Sequence, residues 1–89
     1  MKVNLIFKAP FSGWFGKKEH TLEIAQDSTV GEAIDVLVKT PEFKRALEDK
    51  GGTSGELKAL FLINSSFVDK DYVLKNKEEL KIVGFFSGG

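Results

Sequence analysis

Cysteine is absent from this chain, which excludes a disulfide framework, a thiolate metal site and a cysteine nucleophile. Any sulfur chemistry has to be brought by another molecule. Histidine is nearly absent: His20 stands alone, so no triad, zinc cluster or histidine pair exists, and it reads as a strand surface residue. Net charge is lacking as well, with thirteen basic residues against thirteen acidic ones. Without an electrostatic footprint, neither nucleic acid nor an anionic membrane surface is an expected partner. No apolar run approaches the ~20 residues of a membrane span, and the stretch from Met1 to Lys8 is too short and too charged for a signal peptide. The expected location is the cytoplasm.

What is present suits one small soluble domain. The chain has 89 residues, 42% hydrophobic and 29% charged, enough for a single core that buries roughly 60–65% of the surface of the unfolded chain. Residues 2 to 8 alternate, with Val3, Leu5 and Phe7 on one face and Asn4, Ile6 and Lys8 on the other, which predicts a half-buried strand. Residues 9 to 17 hold Pro10, Gly13 and Gly16 and read as a loop. Its Phe11, Trp14 and Phe15 fit a cap on the core edge better than a recognition surface. Alternation resumes through His20, Leu22 and Ile24, predicting a strand antiparallel to the first.

Thr29-Val30-Gly31-Glu32 has the form of a capping box. The helix it opens carries Val30, Ala33, Ile34, Leu37 and Val38 as one apolar stripe, and Thr40-Pro41 ends it. A second, short helix is predicted from Pro41 to Asp49, with Phe43, Ala46 and Leu47 inward. Gly51-Gly52-Thr53-Ser54-Gly55 reads as a connector, because it has no lysine followed by Ser or Thr in phosphate-loop register. Residues 57 to 63 are apolar on both parities, the pattern of a strand covered on both faces. Asn64-Ser65-Ser66 turns the chain into a brief strand at Phe67-Val68. A last strand, 80 to 86, puts Leu80, Ile82 and Gly84 on one side and Lys81, Val83 and Phe85 on the other. The carboxylates at Asp69-Lys70-Asp71 and Glu78-Glu79 lie beside lysines in turn-like segments and read as surface.

This order predicts an α+β protein with the β-grasp fold: a mixed sheet of four to five strands over one main helix and a short second helix, the first and last strands parallel in its centre. The helix stripe covers one face. Ile6, Val83 and Phe85 then share the other face with either Phe61 and Ile63 or Leu60 and Leu62, and Phe61 with Ile63 is the pair taken as partner-binding. A patch of large apolar side chains left open on a small domain marks a partner site.

The sequence stops at Ser87-Gly88-Gly89. Two glycines add nothing to stability and supply slimness instead. Five extended residues reach roughly 17 Å, enough to carry a terminal carboxylate down a channel too narrow for a Cβ. The expected division is a domain at 1–84 and a flexible tail at 85–89. Ser87 has no neighbour that could deprotonate it.

With Thr29-Val30-Gly31-Glu32-Ala33 opening the helix, Ile63-Asn64 closing a strand and Ser87-Gly88-Gly89 at the end, the whole chain resembles the MoaD/ThiS class of ubiquitin-like sulfur carriers. The helix at Pro41–Asp49 and the length resemble the molybdopterin synthase small subunit more than the shorter thiamine carrier. One departure is that Gly84-Phe85-Phe86 stands where the class often has a Pro-Pro pair. The resemblance implies a protein co-substrate and not an enzyme. Gly89 would be adenylated by an E1-like enzyme using ATP and magnesium and become a thiocarboxylate, Gly88, Ser87 and Phe86 would thread the partner's channel, and no cofactor or metal would reside on the chain. The implied acceptor is a molybdopterin synthase large subunit (MoaE-like), in molybdenum or tungsten cofactor biosynthesis. The alternatives are a ubiquitin-like modifier joined to lysines through the same glycine, or a carrier for thiamine, cysteine or tRNA sulfur transfer.

Overall fold

In a computed structural model, which describes residues 1–49 and 59–84, the chain forms one mixed sheet with helices against one face. The elements are β1 (Lys2–Phe7), α1 (Phe11–Phe15), β2 (Glu19–Glu23), α2 (Val30–Lys39), α3 (Pro41–Asp49), β3 (Ala59–Ile63), β4 (Ser66–Val68) and β5 (Glu79–Gly84). The five strands lie in the order β2-β1-β5-β3-β4. β1 and β5 are parallel neighbours in the centre, and the other pairings are antiparallel. This is the β-grasp arrangement, and its parallel centre is possible because the helices cross over between the two strands. The connector at 51–55 and the expected tail at 85–89 lie outside the described residues.

The alternation of β1 translates directly into packing: Val3, Leu5 and Phe7 are buried, as are Leu80 and Ile82 on β5 and Phe61 and Ile63 on β3. Against them lies the α2 stripe of Val30, Ala33, Ile34, Leu37 and Val38, all buried. The capping box forms: the Glu32 N–H donates to Thr29 Oγ1 at 3.2 Å, and the Thr29 N–H donates to Glu32 Oε1 at 3.0 Å. The remaining N-terminal amides are taken up from elsewhere in the chain. Val30 N–H donates to the Tyr72 carbonyl at 2.9 Å and Gly31 N–H to the Lys70 carbonyl at 2.8 Å, so the polar segment after β4 completes the helix end. Replacing Thr29 by alanine should cost about 1 kcal/mol and lower the unfolding midpoint by about 4–8 °C, readable by calorimetry.

The segment predicted as a loop at 9–17 contains a helix. Pro10 and two glycines gave the loop reading, yet Phe11, Trp14 and Phe15 stand at i, i+3 and i+4 and form one apolar face. Tertiary contact holds it there: Phe15 packs edge-on against Phe7 and Phe43 at 4.9 Å each, and Phe11 is buried. Gly16, in the left-handed region at φ 70°, ends the helix with its N–H donating to the Ser12 carbonyl. These aromatics therefore cap the core edge.

Candidate functional site

Strand register decides which side chains face away from the helices. β1 and β5 pair Ile6 with Lys81, β5 and β3 pair Lys81 with Leu62 and Val83 with Leu60, and β3 and β4 pair Leu62 with Phe67. Directly paired residues share a face. The open face thus carries the row Ile6, Lys81, Leu62, Phe67, with Val83 and Leu60 in the next row. Phe67 is 69% exposed and Leu60 37%, while Ile6, Leu62 and Val83 are half-buried. Leu60 and Phe67, with Val68, Asp69 and Lys70, border a depression of about 290 Å³.

Phe61 and Ile63, the expected partner-binding pair, are not on this face. Phe61 pairs with Ile82, both turn toward α2, and Phe61 and Ile63 are each only 5% exposed. The two-residue turn at Asn64-Ser65, with φ of 49° and 67°, places Ile63 opposite Ser66 and Leu62 opposite Phe67. Because residues 57 to 63 are apolar on both parities, hydrophobic pattern alone did not choose between the pairs. Nor is β3 covered on both faces among the described residues. Phe67 was missed as a site residue, although the short turn before it was a usable signal for its side. Ile6 and Val83 lie on the open face. Phe85, Phe86, Ser87, Gly88 and Gly89 lie outside the described residues.

Elsewhere the chemistry is sparse. Among the described residues no group of three or more His, Asp or Glu side chains could hold a metal ion, and no helix is long and apolar enough to cross a membrane. His20 departs from its reading as a surface residue: paired with Leu5 on the inner side of the sheet, it is half-buried and packs edge-on against Phe43 at 4.9 Å. Burial lowers its pKa from the ordinary 6.5, nearby Lys17 lowers it further, and Glu42 partly opposes them. The fold therefore favours the neutral imidazole. That contribution is complete above pH 6.5 and declines as the pH falls through and below this value. Thermal unfolding at pH 7.5 and 5.5 should show a shallow loss of stability on acidification that His20→Gln flattens.

The ThiS family model matches residues 9–89. The chain belongs to the ThiS family. Comparison with curated protein sequences returns no match. Among solved structures, this ThiS-family chain is similar to SAMP1 from Haloferax volcanii, with 26% identity and a TM-score of 0.77 over all of both chains. It shares the fold of a putative molybdopterin converting factor subunit 1 from Pyrococcus furiosus, at 20% identity and a TM-score of 0.66, covering 96% of this chain and 99% of that one. It also shares the fold of a chain in the complex of subunits 1 and 2 of the molybdopterin-converting factor from Helicobacter pylori, at 18% identity and a TM-score of 0.62 over all of both chains. The ThiS-family fold of this chain is thus the ubiquitin-like β-grasp.

Proposed function

We propose that this protein is a sulfur carrier, a co-substrate whose Gly89 carboxylate is activated and converted to a thiocarboxylate. The observation that carries this reading is the family match, which extends through Ser87-Gly88-Gly89. A carboxylate is a poor electrophile. Its oxygen must first attack the α-phosphorus of ATP on an E1-like partner that supplies the magnesium, releasing pyrophosphate. A persulfide sulfur then displaces AMP, and a thiol cleaves the acyl disulfide to leave the thiocarboxylate. The carrier contributes no catalytic side chain to these steps. Its own parts are the glycines that pass a narrow channel and the apolar face of Ile6, Leu60, Leu62, Phe67 and Val83 that docks the partner.

For the acceptor we propose a molybdopterin precursor held by a large subunit, supported by the fold shared with the subunit 1 structures. A second reading has its own support: the end-to-end likeness to SAMP1, whose name stands for small archaeal modifier protein 1. In that reading the activated glycine forms an isopeptide bond with lysines of other proteins. Intact-mass measurement after incubation with ATP, magnesium, an activating enzyme and a persulfide donor separates the two. Exchange of one oxygen for sulfur supports the carrier, adducts to other proteins support the modifier, and an unchanged mass with each activator tried removes both.

A further inference from the structure

β2 lies at one end of the sheet with β1 as its strand neighbour, and the bonds at its two ends fix its hydrogen-bonding parity. The Phe7 N–H donates to the Lys18 carbonyl at 2.8 Å, and Met1 and Ile24 exchange bonds at 2.7 and 2.9 Å. Antiparallel neighbours exchange bonds at every second residue, so Lys18, His20, Leu22 and Ile24 face β1 with their backbone groups. The N–H and C=O groups of Glu19, Thr21 and Glu23 therefore point away from the sheet, where no strand among the described residues meets them. Their side chains stand on the open face with Ile6, Asn4 and Lys2, and all three residues are exposed. The opposite edge differs. β4 is three residues long, and a short edge is a common protection against unwanted pairing. β2 runs five residues in unbroken register with β1, without proline or bulge.

Charge decides what such an edge accepts. Glu19 and Glu23 stand on the same face, roughly 13 Å apart along the strand, with Thr21 between them. Among the described residues neither carboxylate is in an ion pair: Glu23 stands opposite Lys2 on β1 without a salt bridge, and Lys17 is engaged by Glu42 at 3.3 Å. A second copy aligned so that all three outward residues pair would put Glu19 against Glu23 twice, and like charges directly opposite destabilise a strand pair. A strand with Lys or Arg at two positions four apart meets a carboxylate at each, while its backbone takes up the open N–H and C=O groups. Its intervening residues point to the helix side, beside half-buried His20 and buried Leu22, where apolar β-branched side chains fit. We propose that the outer edge of β2 is a docking strand for an extended, basic segment of a second protein, added antiparallel with its cationic residues opposite Glu19 and Glu23. Four strand spacings, roughly 19 Å, separate this edge from β4 and Phe67. The site is thus distinct from the apolar docking face, and it stands whether or not the carrier reading does.

The probe is the capped heptapeptide Thr-Lys-Val-Thr-Val-Lys-Thr, titrated into the isotopically labelled full chain and followed by NMR. The expected result is saturable shifts of the Glu19, Thr21 and Glu23 amides with a Kd below about 1 mM, together with slowed hydrogen exchange at those three amides. Joint replacement Glu19→Gln and Glu23→Gln weakens binding roughly tenfold, the scale of two cross-strand charge pairs, and exchanging the lysines of the peptide for glutamate abolishes it. Thr21→Pro removes one outward N–H and none that bonds to β1, and it abolishes binding as well. Should that variant fail to fold, N-methylation of the central threonine of the peptide makes the same test from the other strand. Saturation of the same amides by the glutamate peptide, shifts confined to other strands, or no shift at millimolar peptide each overturn the proposal. So does protection of the three amides that grows with protein concentration when no peptide is present, because it assigns the edge to a second copy.

Discussion

Removal of Gly88 and Gly89 is expected to abolish ATP-dependent charging while moving the thermal unfolding midpoint by no more than about 2–4 °C. The asymmetry follows from what glycine has and lacks. Without side chains the pair contributes no apolar surface to the core, so the domain loses little. Activation loses everything, because the carboxylate then sits on Ser87, two residues short of its channel and attached to a residue with a Cβ. Intact mass after incubation with ATP and a sulfur donor reads the first quantity and calorimetry reads the second. Charging of the truncated chain at the full-length rate would remove the carrier reading, and so would a fall in the midpoint of more than about 10 °C, since such a loss means that the glycines belong to the packed domain.

The second large effect is a contrast between two phenylalanines on neighbouring strands. Phe67→Glu should change stability by no more than about 0.5 kcal/mol, as expected of an exposed surface position, and weaken the complex with the activating enzyme by roughly thirtyfold or more, the scale of a buried aromatic anchor at an interface. Phe61→Ala should do the reverse. Buried beside Ile82 in the core that also holds the α2 stripe, its loss leaves a cavity costing about 3–5 kcal/mol, a large share of the ~5–15 kcal/mol that holds a small domain together. Chemical denaturation and titration calorimetry on the two variants check both halves. If Phe67→Glu binds its partner as well as the parent does, the open face is not the docking surface.

The difference between these residues also marks how far the primary structure was legible. For α2 the reading was complete, since the box at Thr29 and Glu32, the stripe and the stop at Thr40-Pro41 are local features within one element. The same holds for β1, where strict alternation leaves a single choice of inward face. At β3 the pattern Ala59-Leu60-Phe61-Leu62-Ile63 is apolar whichever way it is turned, and the choice passes to the register with β5 and to the turn at Asn64-Ser65. At α1 the local signals pointed the wrong way, because proline and glycine mark a loop unless a neighbour rewards the helix. That neighbour is Phe43, about thirty residues away on α3. His20 was misjudged for the same reason: its ring rests on Phe43, a contact that its own strand does not announce.

By itself, the order of amino acids determined the succession of strands, the two longer helices and the absence of cysteine, because each depends on residue type or on periodicity within one element. Tertiary structure alone decided that Leu60, Leu62 and Phe67 face outward while Phe61 and Ile63 face in, that a proline-bearing loop becomes a helix, and that Gly84 abuts Ala9 and Pro10. Those outcomes depend on which distant segments meet and in what register, and a shift of one residue along a strand reverses every side chain on it.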